Sequence, residues 1–95
     1  MHYLYILYSP TIDRFYIGET TNLHQRIIDH NNHKYQRGFT KAAKDWSIKL
    51  YKICESKQQA MFLEKFIKRM KSKKFILKVI ENPSILDDII DENKK

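Results

Sequence analysis

A chain of 95 residues is expected to make one domain with a modest core, because two domains of half that size would each be too small to be stable unaided. Its 42% hydrophobic and 13% aromatic content argues against a disordered chain. The 18 Lys and Arg against 11 Asp and Glu give a formal +7 and argue for a polyanionic partner rather than a basic one.

No apolar run approaches the roughly 20 residues of a spanning helix, and the start lacks the basic, apolar and small-residue pattern of a signal peptide. A single cysteine, Cys54, forms no internal disulfide, and no Cys/His spacing suggests structural zinc. Cys54 reads as a buried strand thiol, and the expected compartment is cytoplasmic. The charge is unevenly spread. Asp87, Asp88, Asp91 and Glu92 crowd the C-terminal end, so the 18 bases and 11 acids of the whole chain become 16 and 7 over residues 1–86, a net +9. Such a body attracts nucleic acid first among polyanions, with no choice made between DNA, RNA and an acidic protein.

Tyr3 to Tyr8 and Phe15 to Ile17 are tyrosine-rich apolar runs suited to strands. Pro10 to Asp13 between them predicts an antiparallel hairpin. Thr20, Thr21 and Asn22 are N-cap types, so the second strand should run almost directly into a helix from about Leu23. Leu23 and Ile27 make its packing stripe, and Arg26 and His30, four apart, project from one side beside it. If the strand register puts Tyr5 and Tyr16 on one face, hydroxyl, guanidinium and imidazole meet at the edge of the core as an anion site.

Asn31 to His33 should end that helix. Lys34 to Lys44 reads as a loop, with a helical turn at Thr40 to Lys44. It is either a basic edge over a nucleic-acid backbone or an ordinary solvated loop. Trp46 to Glu55 is a third strand whose apolar positions do not alternate cleanly, which fits either a central strand covered on both faces or a bulge. Ser56 caps a helix from about Lys57 to Met70. Its buried stripe is Ala60, Leu63, Phe66, Ile67 and Met70. Glu64 sits at the shoulder of that stripe, where spacing alone favours an exposed pair with Lys68. From Lys65 to Lys78 there are seven Lys or Arg. A further helix after Ser72 should bury Phe75, Ile76 and Leu77. Most of this charge reads as a solvated face, with phosphate contact by a few members as the sharper alternative. Ser84 is a candidate cap for Ile85 to Ile90, and residues 83–95 form an acidic tail or short helix.

The ordered set Tyr3-Leu4-Tyr5, Tyr16-Ile17-Gly18, Thr20, Asn22-Leu23, Arg26, His30-Asn31 and Glu64-Lys65 resembles the GIY-YIG nuclease family, in particular its small single-domain bacterial members. The resemblance spans Tyr3 to about Lys78. It departs at Tyr3, which replaces the first glycine and concerns backbone packing more than chemistry. What it implies is an α+β fold, a small three-stranded antiparallel sheet flanked by helices, and a metal-dependent endonuclease acting on DNA in repair or recombination. It also implies that Tyr5 assists the attacking water, Tyr16 positions water or phosphate, Arg26 holds phosphate and His30 relays a proton, bonds phosphate or orients a tyrosine. Glu64 stands at the place of the carboxylate that binds one Mg²⁺ or Mn²⁺. The expected nucleic-acid contacts are Thr20, Lys41, Lys65, Lys68 and Arg69, with Gly18 structural.

A tyrosine base needs a nearby cation, since a free phenol titrates near pH 10. Family nucleases usually carry a second domain that grips substrate, and this length leaves no room for one. Binding should therefore be weak, salt-sensitive and strengthened by a protein partner. A binding module without useful turnover and a protein-interaction domain are the competing readings.

Overall fold

The computed structural model describes residues 1–32 and 43–94. The Lys34–Lys44 loop lies largely outside those residues, and so does Lys41. The elements are β1 (His2–Ser9), β2 (Arg14–Thr20), α1 (Leu23–Asn31), β3 (Ser47–Cys54), α2 (Lys57–Met70), α3 (Lys73–Glu81) and α4 (Ser84–Asn93). The sheet has the order β2-β1-β3 and is antiparallel throughout, giving the α+β architecture expected.

β1 is the centre because it carries apolar side chains on both faces. Leu4 and Ile6 point into one core with Ile17, Ala60, Leu63, Ile67, Val79 and Leu86, under α2, α3 and α4. Tyr5 and Leu7 point the other way, into a smaller cluster with Ala43 and Trp46, against which Tyr16, Leu23 and Ile27 pack. Strand alternation sorts the two sets. Residues 10–13 close the β1–β2 hairpin, and Asp13 takes a left-handed backbone at φ 50. Its carboxylate accepts from Tyr8 Oη at 2.6 Å and from Lys73 Nζ at 2.8 Å, tying the turn to α3.

β3 lies at the sheet edge, not in its centre. The register against β1 slips between Ile6 and Leu7, where Leu50 faces Ile6 and Ile48 faces Leu7. Lys49 is therefore a bulge residue that flips the alternation. Ile48 packs with the Tyr5 side and Leu50 with the α2 side, although both share one parity in the sequence. Tyr51 and Ile53 then emerge on the open face, each 54% exposed.

Three helices start where the cap residues predict. Asn22 Oδ1 accepts from Gln25 N at 3.1 Å, Ser56 Oγ from Gln59 N at 3.1 Å and Ser72 Oγ from Phe75 N at 3.0 Å. Ser84 does not cap: it is the first residue of α4, and its hydroxyl donates to Asn82 Oδ1 at 2.6 Å. Of the residues expected in the core, Phe66 is only half-buried and joins neither cluster, and two others are exposed. Met70 is the last residue of α2 and is 47% exposed. Leu77 sits on the outer side of α3 at 45%, and Val79 fills the core position instead. No helix among the described residues is long and apolar enough to cross a membrane.

Candidate active site

The register pairs Tyr5 with Gly18 and Leu7 with Tyr16, so both tyrosines stand on the α1 face. Tyr5 is buried at 1% exposure, and its hydroxyl shares a 3.2 Å hydrogen bond with His30 Nε2. Its ring lies across Gly18. A Cβ built there would fall 2.5 Å from Tyr5 Oη and 2.6 Å from Cζ, closer than carbon approaches either atom. Glycine at 18 is thus the space in which the Tyr5 phenol rests, and any side chain would push it off His30.

Tyr16 is half-buried, its ring centroid 4.6 Å from that of His30 and 6.2 Å from that of Tyr5. Of the two phenols only Tyr16 reaches the surface. The Tyr5 hydroxyl, expected to assist the attacking water, rests between Gly18 and His30.

His30 stands at the end of α1, and that end is held by its neighbour. The Asn31 side chain donates from Nδ2 to Trp46 O at 3.0 Å and accepts from Trp46 N at 2.7 Å. This two-point bond imitates a strand pairing and fixes the helix against the entry to β3. Burial first, and the Arg26 guanidinium second, pull the His30 imidazole down to about 4, against an opposing pull from Asp29. His30 is therefore neutral at pH 7, able to act as donor or acceptor toward Tyr5. Arg26 is half-buried one turn away, its charge felt at the ring as the spacing predicts.

Glu64 arrives from the opposite layer. α2 covers the other face of the sheet, but its charged shoulder overhangs β2, which is an edge strand. Glu64 Oε2 is 3.7 Å from Lys68 Nζ, and the same ammonium lies 5.7 Å from the centre of the Tyr16 ring. Lys68 therefore joins the carboxylate to the phenol around the rim of the sheet. The pair that spacing suggests does form, and it forms beside the tyrosines.

The other expected contacts are dispersed. Thr20 is buried, and its Oγ1 accepts from Asn22 N at 3.1 Å, so it shapes the entry to α1 instead of facing outward. Arg69 lines a groove between α2 and α4 with Asp88 and Glu92. Lys65 is exposed and shares Arg69's side of α2, four residues earlier. Of the three α2 bases expected to contact nucleic acid, Lys68 is the one placed beside Tyr16. Asn31 is a positioning residue whose role no local sequence signal discloses, since it depends on Trp46.

The donor set suits a hard cation held by few protein ligands. Among the described residues no three His, Cys, Asp or Glu converge, while Glu64 offers one carboxylate at a partly exposed rim. One carboxylate is enough for Mg²⁺ when waters and substrate phosphate complete the shell.

A three-stranded antiparallel sheet with two phenols, an imidazole and a guanidinium on one face, and a carboxylate at its rim, has the parts of a small phosphodiester-cleaving domain. The family model described as the GIY-YIG catalytic domain matches residues 1–76, and the chain belongs to this family. Its members are endonucleases, generally dependent on a divalent metal, and nuclease activity on DNA is what the domain brings. No curated protein and no solved structure matches the chain.

Proposed function

We propose that this chain is a metal-dependent endonuclease that hydrolyses DNA phosphodiester bonds with structure selectivity or without sequence preference, as repair or recombination requires, in the cytoplasm. One observation carries the reading. Tyr16 lies between His30, supplied by α1 on its own face, and Lys68 with Glu64, supplied by α2 from the other. The hydrophobic core needs none of these polar groups in that place.

Arg26 binds the non-bridging oxygens of the scissile phosphate, since a guanidinium stays charged and offers two aligned donors. Tyr16 orients the attacking water and accepts its proton, with the Lys68 ammonium 5.7 Å from the centre of its ring. Neutral His30 is held by Tyr5 and bears on the Tyr16 ring, so the buried Tyr5 acts through His30 and Gly18 provides its seat. Glu64 would hold one Mg²⁺ or Mn²⁺, which would supply Lewis-acid stabilisation of the charge that develops on the phosphoryl oxygens. Lys68 must turn from Glu64 toward phosphate as the site loads.

Plasmid and branched DNA incubated with Mg²⁺, with Mn²⁺ and with chelator tests this. Cleavage is expected only with metal, and Arg26→Ala and Glu64→Gln should abolish it with the fold intact. The Glu64–Lys68 pair favours one second reading, a binding module whose carboxylate is already engaged. Gel shifts without any cut product, at every metal concentration, would select it.

A further inference from the structure

Beside the Tyr16 rim, a cleft of about 300 Å³ runs between the free edge of β2 and the corner where α2 turns into α3. Its rim carries Arg14, Lys68, Lys71 and Lys73, against the single acid Asp13. Lys73 bonds Asp13 at 2.8 Å and cancels it, and Lys68 is shared with Glu64. Arg14 and Lys71 form no ion pair among the described residues. The floor is apolar, with the half-buried Phe15 at its surface and the core residues Ile17, Ile67 and Ile76 behind it.

Two features set this cleft apart from an ordinary basic surface. The only two non-glycine residues with positive φ among those described, Asp13 at 50 and Lys71 at 47, both line it. Lys71 is the left-handed cap of α2, a position where glycine is the cheapest residue and a lysine side chain costs backbone energy. Lys71 thus places a charge where the backbone alone would favour glycine. Lys68 also belongs both to the cleft and to the Tyr16–Glu64 cluster, so the two are continuous.

We infer that this cleft holds an unpaired nucleotide strand adjoining the scissile phosphate, and so makes the enzyme prefer duplexes with a single-stranded flank. A charged rim over an apolar floor suits single strands, whose backbone takes the cations while the bases leave water. A blunt duplex offers phosphates only, with its bases stacked inside, and would leave the floor uncovered. The inference rests on the nuclease reading for its biological sense, but its test is a binding measurement made without turnover.

Fluorescence anisotropy in chelator should compare a labelled duplex bearing a single-stranded overhang with a blunt duplex of the same paired length. The overhang duplex is expected to bind at least several-fold tighter. The double variant Arg14→Gln/Lys71→Gly should erase that preference and flatten the slope of log affinity against log salt by about 1.4, as expected for two lost contacts to a single strand. Lys57→Gln, at the other end of α2, should keep the preference. Thermal melts guard against misfolding, because Lys71→Gly should hold or raise the melting temperature. Equal binding of overhang and blunt duplexes, or a preference that survives the double variant, overturns the assignment. Loss of cleavage in an otherwise overhang-selective protein would instead refute the nuclease reading and leave the cleft standing.

Discussion

The two faces of the sheet are built from the same three strands and do different work. The α2 side is aliphatic, with Leu4, Ile6, Leu63, Ile67, Val79 and Leu86 all at 1% exposure or less. The α1 side puts a phenol, an imidazole and a buried indole where the other has aliphatics, and its cluster is smaller. Strand alternation lets one hairpin serve both, because each residue commits to one face and its neighbour to the other. Stability should therefore reside mainly on one side and chemistry mainly on the other. Substitutions on the two sides should separate in melts and in cleavage assays.

The largest effect on folding belongs to the aliphatic side. Leu63→Ala removes a fully buried side chain at the centre of the α2 interface, and should cost about 2–5 kcal/mol in denaturant unfolding. A loss under about 1 kcal/mol, below the usual range for such a truncation, would mean that α2 is only loosely seated and that the division between faces is mistaken.

Next comes acid. The His30 imidazole titrates at about 4 in the folded protein, below its usual 6.5, held down by burial and by Arg26. Between those values the unfolded chain binds the extra proton, so this contribution is complete above pH 6.5 and is lost as pH falls through 4. Its ceiling is about 3 kcal/mol, because each tenfold difference in proton affinity between the folded and unfolded chain is worth about 1.4 kcal/mol. Tyr5, Tyr16, Arg26 and Asp29 surround the ring, and of these only Asp29 would welcome the charge. Melting temperatures from about pH 7.5 to about pH 4.5, a range spanning most of that loss, should fall more steeply for the natural chain than for His30→Gln. Parallel curves would show that the imidazole is not what senses acid.

Much of this division is readable in the chain, and some of it is not. Tyr5, Tyr16, Arg26 and His30 follow from strand and helix periods, which are local. The β3 bulge does not, since Ile48 and Leu50 share a parity and only pairing with β1 separates them. Met70 and Leu77 carry the right spacing for burial, but which residues of α2 and α3 meet the core is a tertiary fact. Lys68 and Arg69 are adjacent and chemically alike. One meets Tyr16 and the other faces α4, and that choice depends on how α2 overhangs an edge strand.

Gly18→Ala tests the α1 face with a single methyl. The added carbon collides with Tyr5 Oη and Cζ, and the phenol must move away from His30. Overpacking of this kind costs about 1–3 kcal/mol. Cleavage should fall further than the stability loss accounts for, because the charges stay in place while the His30 contact is broken. A variant that melts lower yet cuts normally would show that Tyr5 is a core aromatic and nothing more.

The smallest effect on folding should accompany one of the largest on chemistry. Tyr16→Phe keeps the ring that packs 4.6 Å from His30 and lies under Lys68, and removes one oxygen at the rim. Stability should change by no more than about 1 kcal/mol, the usual worth of one hydroxyl's hydrogen bond. Loss of a positioned proton acceptor, by contrast, should slow cleavage by about 10²–10⁴-fold, with DNA binding in chelator unchanged. Tyr5→Phe provides the comparison. Its hydroxyl is enclosed and bonded to His30, so it should lose more stability and less rate than Tyr16→Phe. If the two variants exchange these outcomes, Tyr5 is the residue that meets water, and its pocket must open before the reaction.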